Sequence, residues 1–366
     1  MSPSDGSRPF GKAADILVRQ EAPFNAGPRP ERVQASFVTP VDQFFVRNHG
    51  DVPDIDPRTF HLTIEGRVKR PFRFSLEEMR RLPKVTVAAT LQCAGNRRQE
   101  LIEGRPIPGE LPWGLEAIST AEWSGVPLRE VLAVAEPNAE ARHVELIGVD
   151  ETERHGHRFA FGGSIPLDKA MRPEVLLAYE MNGQPLPPVH GAPLRAVVPG
   201  WIGARSVKWV SRINLTEAPS ENYFQAKAYR LFPPQTGPEN VVWDEGLMLG
   251  EFNVSSVICS PGDGETVAAG AQTVRGWAFA GERRVARVDV STDGGSTWVT
   301  AELEPERSRW AWRRWEARVD LAPGPCEIVC RAWDSAAQTQ PERADAVWNF
   351  KGYMNNAWHR VRLTAG

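Results

Sequence analysis

The sequence predicts an α+β domain followed by an all-β sandwich of Ig-like architecture. Three observations carry that expectation. The chain has 366 residues, too many for one hydrophobic core and enough for two compact domains plus an arm. Up to about residue 240, strand-like and helix-like stretches mix without a regular strand–helix–strand rhythm, which favours α+β over a doubly wound parallel sheet. Beyond it, strand-like runs recur every ~10 residues with almost no helical periodicity, the spacing of a β-sandwich.

Residues 1–30 are rich in Pro, Gly and charge and read as an arm laid over a domain surface. In the first domain, 31–240, Leu62 to Glu65 alternates like a strand. Ser75-Leu-Glu-Glu78 is a capping box, and its short helix ends before Pro83. From Val85 to Cys93 the odd positions are Val85, Val87, Ala89, Leu91 and Cys93. Period-two alternation therefore carries a thiol on the apolar face to the end of a strand. Ala94-Gly-Asn96 is turn chemistry, with Arg97 and Arg98 directly after it. Pro127 to Leu132 reads as helix, His143 to Val149 as strand, and Val175 to Tyr179 as another strand. Residues 181–200 are dense in Pro and Gly, as a long shaped loop would be.

In the second domain, 241–366, strands are expected at Thr273–Phe279, Val285–Ser291, Thr297–Leu303, Trp312–Val319, Cys326–Trp333 and Ala346–Phe350. Asp293-Gly-Gly295 is a hairpin signal between two of them. The Cys…Trp…Cys pattern of antibody domains is missing, so only the architecture is Ig-like.

Composition removes several function classes. The formal net charge is −3 with Lys and Arg spread along the chain, so no concentrated basic surface exists for nucleic acid. No apolar run reaches the roughly 18–20 residues of a membrane span, nor a signal-peptide core, so the expectation is a soluble, cytoplasmic protein with no membrane partner. Four cysteines in a chain this long do not make a disulfide framework. Cys259, Cys326 and Cys330 read as packed core thiols, the last two on one sheet face. No His or Cys cluster supplies a zinc site around them. His155 and His157 lie in a polar, loop-like stretch and read as solvent-facing.

Cys93 stands apart. Arginines four and five residues later make an electropositive setting, which favours the thiolate that binds metal or attacks an electrophile. The same pattern also suits a core cysteine followed by surface arginines. The surrounding residues decide between them. Leu91-Gln-Cys93-Ala-Gly-Asn-Arg-Arg98 resembles the signature around the molybdenum-ligating cysteine of the sulfite oxidase family. Phe44-Phe-Val-Arg-Asn-His49, Trp113-Gly with Ala117-Ile-Ser, His190-Gly-Ala-Pro-Leu-Arg195, Pro199 to Lys208, Trp348-Asn-Phe-Lys-Gly and Asn356-Ala-Trp-His-Arg360 resemble further family segments. They fall in family order from about Phe24 to Val361. Glu21-Ala-Pro-Phe-Asn and Val38-Thr-Pro-Val-Asp are similar to the heme-free plant-type enzymes.

The resemblance implies a mixed α/β molybdopterin domain, a sandwich that dimerises, and a molybdenum–molybdopterin cofactor with no heme in this chain. Cys93 would ligate the metal, as a soft thiolate suits a high-valent metal cycling by two electrons. Phe45, Arg47, Asn48, His49, Asp150, His190, Arg195, Ser206, Val207 and Lys208 would hold the pterin and its phosphate. Arg47, Arg98, Trp113, Tyr229 and Lys351 would form the substrate pocket, with arginine forks replacing the hydration of an oxyanion. The implied activity is oxidation of sulfite to sulfate by oxygen-atom transfer, with dioxygen or a separate cytochrome as electron acceptor and a homodimer as the working unit. Lys351 departs from the family: it stands where sulfite oxidases carry arginine, keeping the charge but losing the fork. Tyr229 is the sulfite-oxidase residue where nitrate reductases tend to carry asparagine. A nitrate reductase, an oxidoreductase of another sulfur compound or sulfoxide, and a non-catalytic binding protein remain alternatives.

Overall fold

The computed structural model describes residues 8–366; the first seven residues of the expected arm lie outside the described part. Two five-stranded sheets build the first domain. One runs Gln184–Pro185, Leu176–Met181, Ile118–Pro127, Val85–Gln92, with Arg195–Val197 also paired to Leu176–Met181. The other runs Phe72–Ser75, His61–Gly66, Val210–Thr216, His143–Arg154, His157–Pro166, its second and third strands parallel.

Local chemistry sets several boundaries. Ser75 Oγ accepts from Glu78 N while the Glu78 carboxylate accepts from Ser75 N, so both halves of the capping box form and the helix Leu76–Arg80 starts there. Helix Leu128–Ala135 buries Leu128, Val131, Leu132 and Ala135, the 3–4 spacing of one helical face. That face joins Leu62, Ile64, Val144, Leu146, Ile118, Val126 and Leu177 in a core between the sheets. On the far face of the first sheet, Ala89, Leu91 and Cys93 pack with Phe44, Phe45, Trp113 and Trp123, so the odd-numbered positions do share a face.

The sandwich packs a four-stranded sheet (Ser255–Ser260, Gly270–Phe279, Arg313–Leu321, Glu302–Leu303) against a five-stranded one (Thr266–Val267, His359–Ala365, Gly324–Asp334, Val285–Ser291, Val299–Thr300). Val274, Trp315, Ala317, Val288, Val290, Ile328, Cys330 and Val361 meet between them. Asp293 sits in the turn after Val285–Ser291, where Gly294 and Gly295 take positive φ of 71° and 100°. All four cysteines are free.

Several expectations are corrected. Ala346–Phe350 is not a strand: Ala344–Val347 is a 3₁₀ turn. Trp348 leaves the sandwich to pack with Leu101 and Ile107, under the Arg105 guanidinium at 3.9 Å. The final strand is instead His359–Ala365. The strand at His143 runs on to Arg154, and His155 and His157 flank its hairpin turn, both exposed. The 181–200 loop carries a two-residue strand, a 3₁₀ turn at Pro188–His190 and the strand Arg195–Val197. The arm is anchored to the domain through buried residues, Lys12 and Asn25 among them. The pair Arg230–Leu231 with Leu247–Met248 spans residue 240, and the first sandwich strand begins at Ser255.

The domains are joined along a sheet edge. Thr90 N donates to Trp310 O at 3.0 Å, Trp312 N donates to Thr90 Oγ1 at 2.8 Å, and Ser308 Oγ donates to Ala88 O at 2.7 Å. The loop from the sandwich thus covers the otherwise open edge of the strand that ends at Cys93.

Candidate functional site

Cys93 follows that strand directly, 6% exposed, with its N–H donating to Ala117 O at 2.9 Å. The turn after it folds back so that Gly95 N lies 3.4 Å from Sγ. The thiol opens on a cavity lined among others by Phe45, Arg47, His190, Arg195, Ser206 and Lys208. Arg195 comes from the strand Arg195–Val197 and donates to His190 O and Ser206 O, each at 3.0 Å. Ser206 Oγ accepts from Val198 N at 2.9 Å, which closes the loop on itself. Lys208 Nζ is held by Asn48 Oδ1 and by Val189 O at 3.2 Å.

The charge balance of this cavity is one-sided. Arg47, Arg195 and Lys208 face it, and Lys12 stands behind His190, 2.7 Å from Nε2. The nearby carboxylate is Asp150, displaced by the irregularity between Ile147 and Glu151, with Oδ1 buried and unpartnered. Burial pushes the Asp150 carboxyl up to about 6, while Lys208 opposes the rise. Burial and the repulsion of Arg195 push the Lys208 ammonium down. Burial, Lys12, Lys208 and Arg195 together hold His190 well below the usual imidazole range. Partly buried cations left without anions are costly, so this donor set fits a phosphate-bearing, acceptor-rich ligand. The soft sulfur at the floor fits a metal such as molybdenum. The residues present therefore suit a molybdopterin. Among the described residues no group of three His, Cys, Asp or Glu side chains forms a metal cluster.

A second, outer cavity shares Arg47 with the first and is lined also by Asn48, His49, Glu110, Arg154, Lys351 and Tyr353. Here one histidine organises the hydrogen bonds. His49 Nδ1 lies 3.2 Å from Arg47 Nη2 and 3.3 Å from Arg154 Nη2. Guanidinium groups only donate, so Nδ1 accepts and the ring proton sits on Nε2. Nε2 then donates to the Tyr229 hydroxyl oxygen at 2.8 Å, leaving the proton of this buried hydroxyl without an acceptor among the described residues. Burial pushes the Tyr229 pKa up, so the hydroxyl keeps that proton. Burial, then Arg47 and Arg154, hold His49 far below its usual range, so the ring stays neutral.

Arg98, Trp113, Asp150 and Tyr229 line neither cavity. Arg98, 3% exposed, donates to Leu111 O at 2.8 Å, Lys351 O at 3.0 Å and Gly352 O at 3.2 Å. It fastens the segment after the 3₁₀ turn beside the Cys93 loop, where Met354 N also donates to Ala94 O at 2.7 Å. Trp113 is fully buried in the apolar cluster with Cys93, its indole N–H unpartnered. The Val207 side chain belongs to the main core rather than to the cavity. Lys351 ion-pairs with Glu110, which also stands 3.5 Å from Arg98.

Sequence reasoning missed Lys12, Glu110, Arg154, Arg205 and Tyr353. Tyr353 stacks on Tyr229 at 5.2 Å and lies two residues past Lys351, so the family-like ending could have pointed to it. Arg205 is buried within the matched block, donating to Leu249 O at 3.0 Å, and its burial was the missing information. Lys12 and Arg154 carry no sequence signal, because only the folded arm and the lengthened hairpin bring them here.

Comparison with known proteins agrees with this architecture. Residues 49–224 match the oxidoreductase molybdopterin binding domain, and residues 247–366 match the Mo-co oxidoreductase dimerisation domain. The chain is 44% identical over 361 residues to the mitochondrial sulfite oxidase of Homo sapiens, covering 95% of this chain and 65% of that protein, just under two thirds of its length. It is 40% identical over 387 residues to the sulfite oxidase of Arabidopsis thaliana, covering 100% of this chain and 98% of the relative. Among solved structures, the sulfane dehydrogenase SoxCD of Paracoccus pantotrophus superposes with a TM-score of 0.76 at 28% identity, over 91% of this chain and 82% of that one. Identity of this extent, running through both domains, places the chain in the sulfite oxidase family of molybdopterin oxidoreductases.

Proposed function

We propose that this protein oxidises sulfite to sulfate, with a molybdenum–molybdopterin held in the inner cavity through Cys93. The observation that carries the reading is the Tyr229 hydroxyl: its oxygen accepts from neutral His49, its proton is unclaimed, and it lies beside Arg47 within electrostatic reach of Cys93. When bound, the cofactor supplies two-electron redox chemistry and oxygen-atom transfer. Arg195, Lys208, Ser206 and His190 would hold its pterin and phosphate. Arg47 and Arg154, at the outer cavity, replace the water that a sulfite dianion sheds on entry. Tyr229 donates to a sulfite oxygen and orients it without giving up its proton. Glu110 partly neutralises Lys351, so the mouth admits an anion without trapping the sulfate product. In balance, sulfite takes one oxygen from water and releases two electrons and two protons.

Glu21-Ala-Pro-Phe-Asn and Val38-Thr-Pro-Val-Asp, which resemble the heme-free plant-type enzymes, support dioxygen or a separate cytochrome as the acceptor of those electrons. The match to a dimerisation domain supports a homodimer. The test is molybdenum content together with sulfite-dependent ferricyanide reduction, set against nitrate-dependent oxidation of a reduced viologen. Expected are about one molybdenum per chain, dominant sulfite activity, and no turnover in a folded Cys93→Ser variant. Dominant nitrate activity would overturn the substrate, and wild-type turnover in Cys93→Ser would overturn the site.

A further inference from the structure

Lys12 has no part in the reaction so far, yet it is only 2% exposed. Its Nζ lies 2.6 Å from Val41 O, 2.9 Å from Phe44 O and 2.7 Å from His190 Nε2. An ammonium has three N–H donors and no acceptor, and these three contacts use all of them. His190 Nε2 must then accept, which leaves the imidazole proton on Nδ1. Val41 O, the backbone oxygen beside the ring, is already taken by Lys12 at 2.6 Å, no bond from Nδ1 meets the hydrogen-bond geometry among the described residues, and His190 lines the inner cavity.

We propose that Lys12 is a positioning residue for the cofactor: it locks His190 as the Nδ1–H tautomer, so that His190 presents a donor to an acceptor edge of the pterin. The proposal rests on reading the inner cavity as the pterin site. It gives the arm a physical task. Ile16, Phe24 and Ala26 pack with Val46 and with Val189, the neighbour of His190. Ala26 and Val46 exchange backbone hydrogen bonds at 3.1 and 2.7 Å. The arm is thereby docked on the segment whose histidine it sets. Without the ammonium, Val41 O loses its donor, and the Nε2 proton is the nearest replacement. That switch would turn the Nδ1 lone pair toward the cavity, where a carbonyl or ring nitrogen of the ligand would meet it as a like partner.

The experiment is histidine-selective ¹⁵N labelling of the full chain, with His190 assigned by the signal lost in His190→Gln. Burial pushes the Lys12 amine down to about 7, with Asp42 opposing, so the spectra are taken at about pH 6 to keep it charged. The wild type is expected to show Nδ1 protonated and Nε2 bare. Lys12→Met should move the proton to Nε2 and lower the molybdenum and pterin content of the purified chain about tenfold, the usual effect of losing a partner that orients a ligand-holding histidine. A wild-type His190 protonated on Nε2 overturns the proposal without any variant having to fold. So does Lys12→Met with an unchanged tautomer and full cofactor content. A wild type that shows Nδ1–H but carries no molybdenum would keep the tautomer lock and overturn the pterin reading, so the two failures are distinct.

Discussion

The Arg98 guanidinium is committed to three backbone carbonyls, two of them on the segment Lys351–Gly352. The resemblance assigned it to substrate, whereas in the structure it lines neither cavity and holds the wall of the site together. Arg98→Gln cannot reach all three oxygens, and it leaves Glu110 with one cation fewer. The expected loss of stability is about 3 kcal/mol, accompanied by a raised KM for sulfite. Thermal melting and steady-state kinetics on one preparation check both; an unchanged melting temperature would mean that the carbonyl contacts carry no weight. Cys93 was legible because its neighbours are diagnostic in order. Tyr229 was legible as a residue, but the reason its proton is free was not, since that depends on Arg154, 75 positions away in the chain.

Elements were legible where the cause is local. The capping box at Ser75 and the alternation into Cys93 need only neighbouring residues. Ala346–Phe350 also alternates, but Trp348 gains more from the pocket beneath Arg105 than from a sheet edge. Close approach between elements was equally hidden. The turn Gly203–Arg205 passes so near the end of the Cys93 strand that a Cβ on Gly203 would lie 2.9 Å from Gln92 O. Gly203→Ala is therefore expected to cost about 1–3 kcal/mol by forcing the two backbones apart, and to lower molybdenum content by loosening the cavity. A melt and a metal analysis matching the wild type would show that the turn can shift freely.

At the scale of the whole molecule, buried histidines make the fold acid-sensitive. His359 Nδ1 accepts from Ile258 N at 3.1 Å inside the sandwich, and burial, then Arg97, lowers its pKa to about 4. Unfolded, it titrates near 6.5. Between those values the folded chain binds fewer protons, so stability is full above about 6.5 and falls as pH drops toward 4, by roughly 3 kcal/mol for this group. His49 and His190 are lowered too and act in the same direction. Melting temperatures between pH 7 and 4.5 should fall steadily, and His359→Gln should lessen the slope by about one proton. A flat profile in the wild type would contradict the burial of these rings.

By itself the sequence determined the two-part architecture, the strand that presents Cys93, and the family, because periodicity, turn chemistry and an ordered set of motifs are properties of neighbouring residues. Only the tertiary structure decided that Arg98 braces the site, that His49 accepts from two guanidinium groups, and that the arm's Lys12 meets His190 behind the inner cavity. Each of those depends on which distant donor meets which acceptor once water is excluded, and hydrogen-bond direction and burial cannot be read from spacing along a chain.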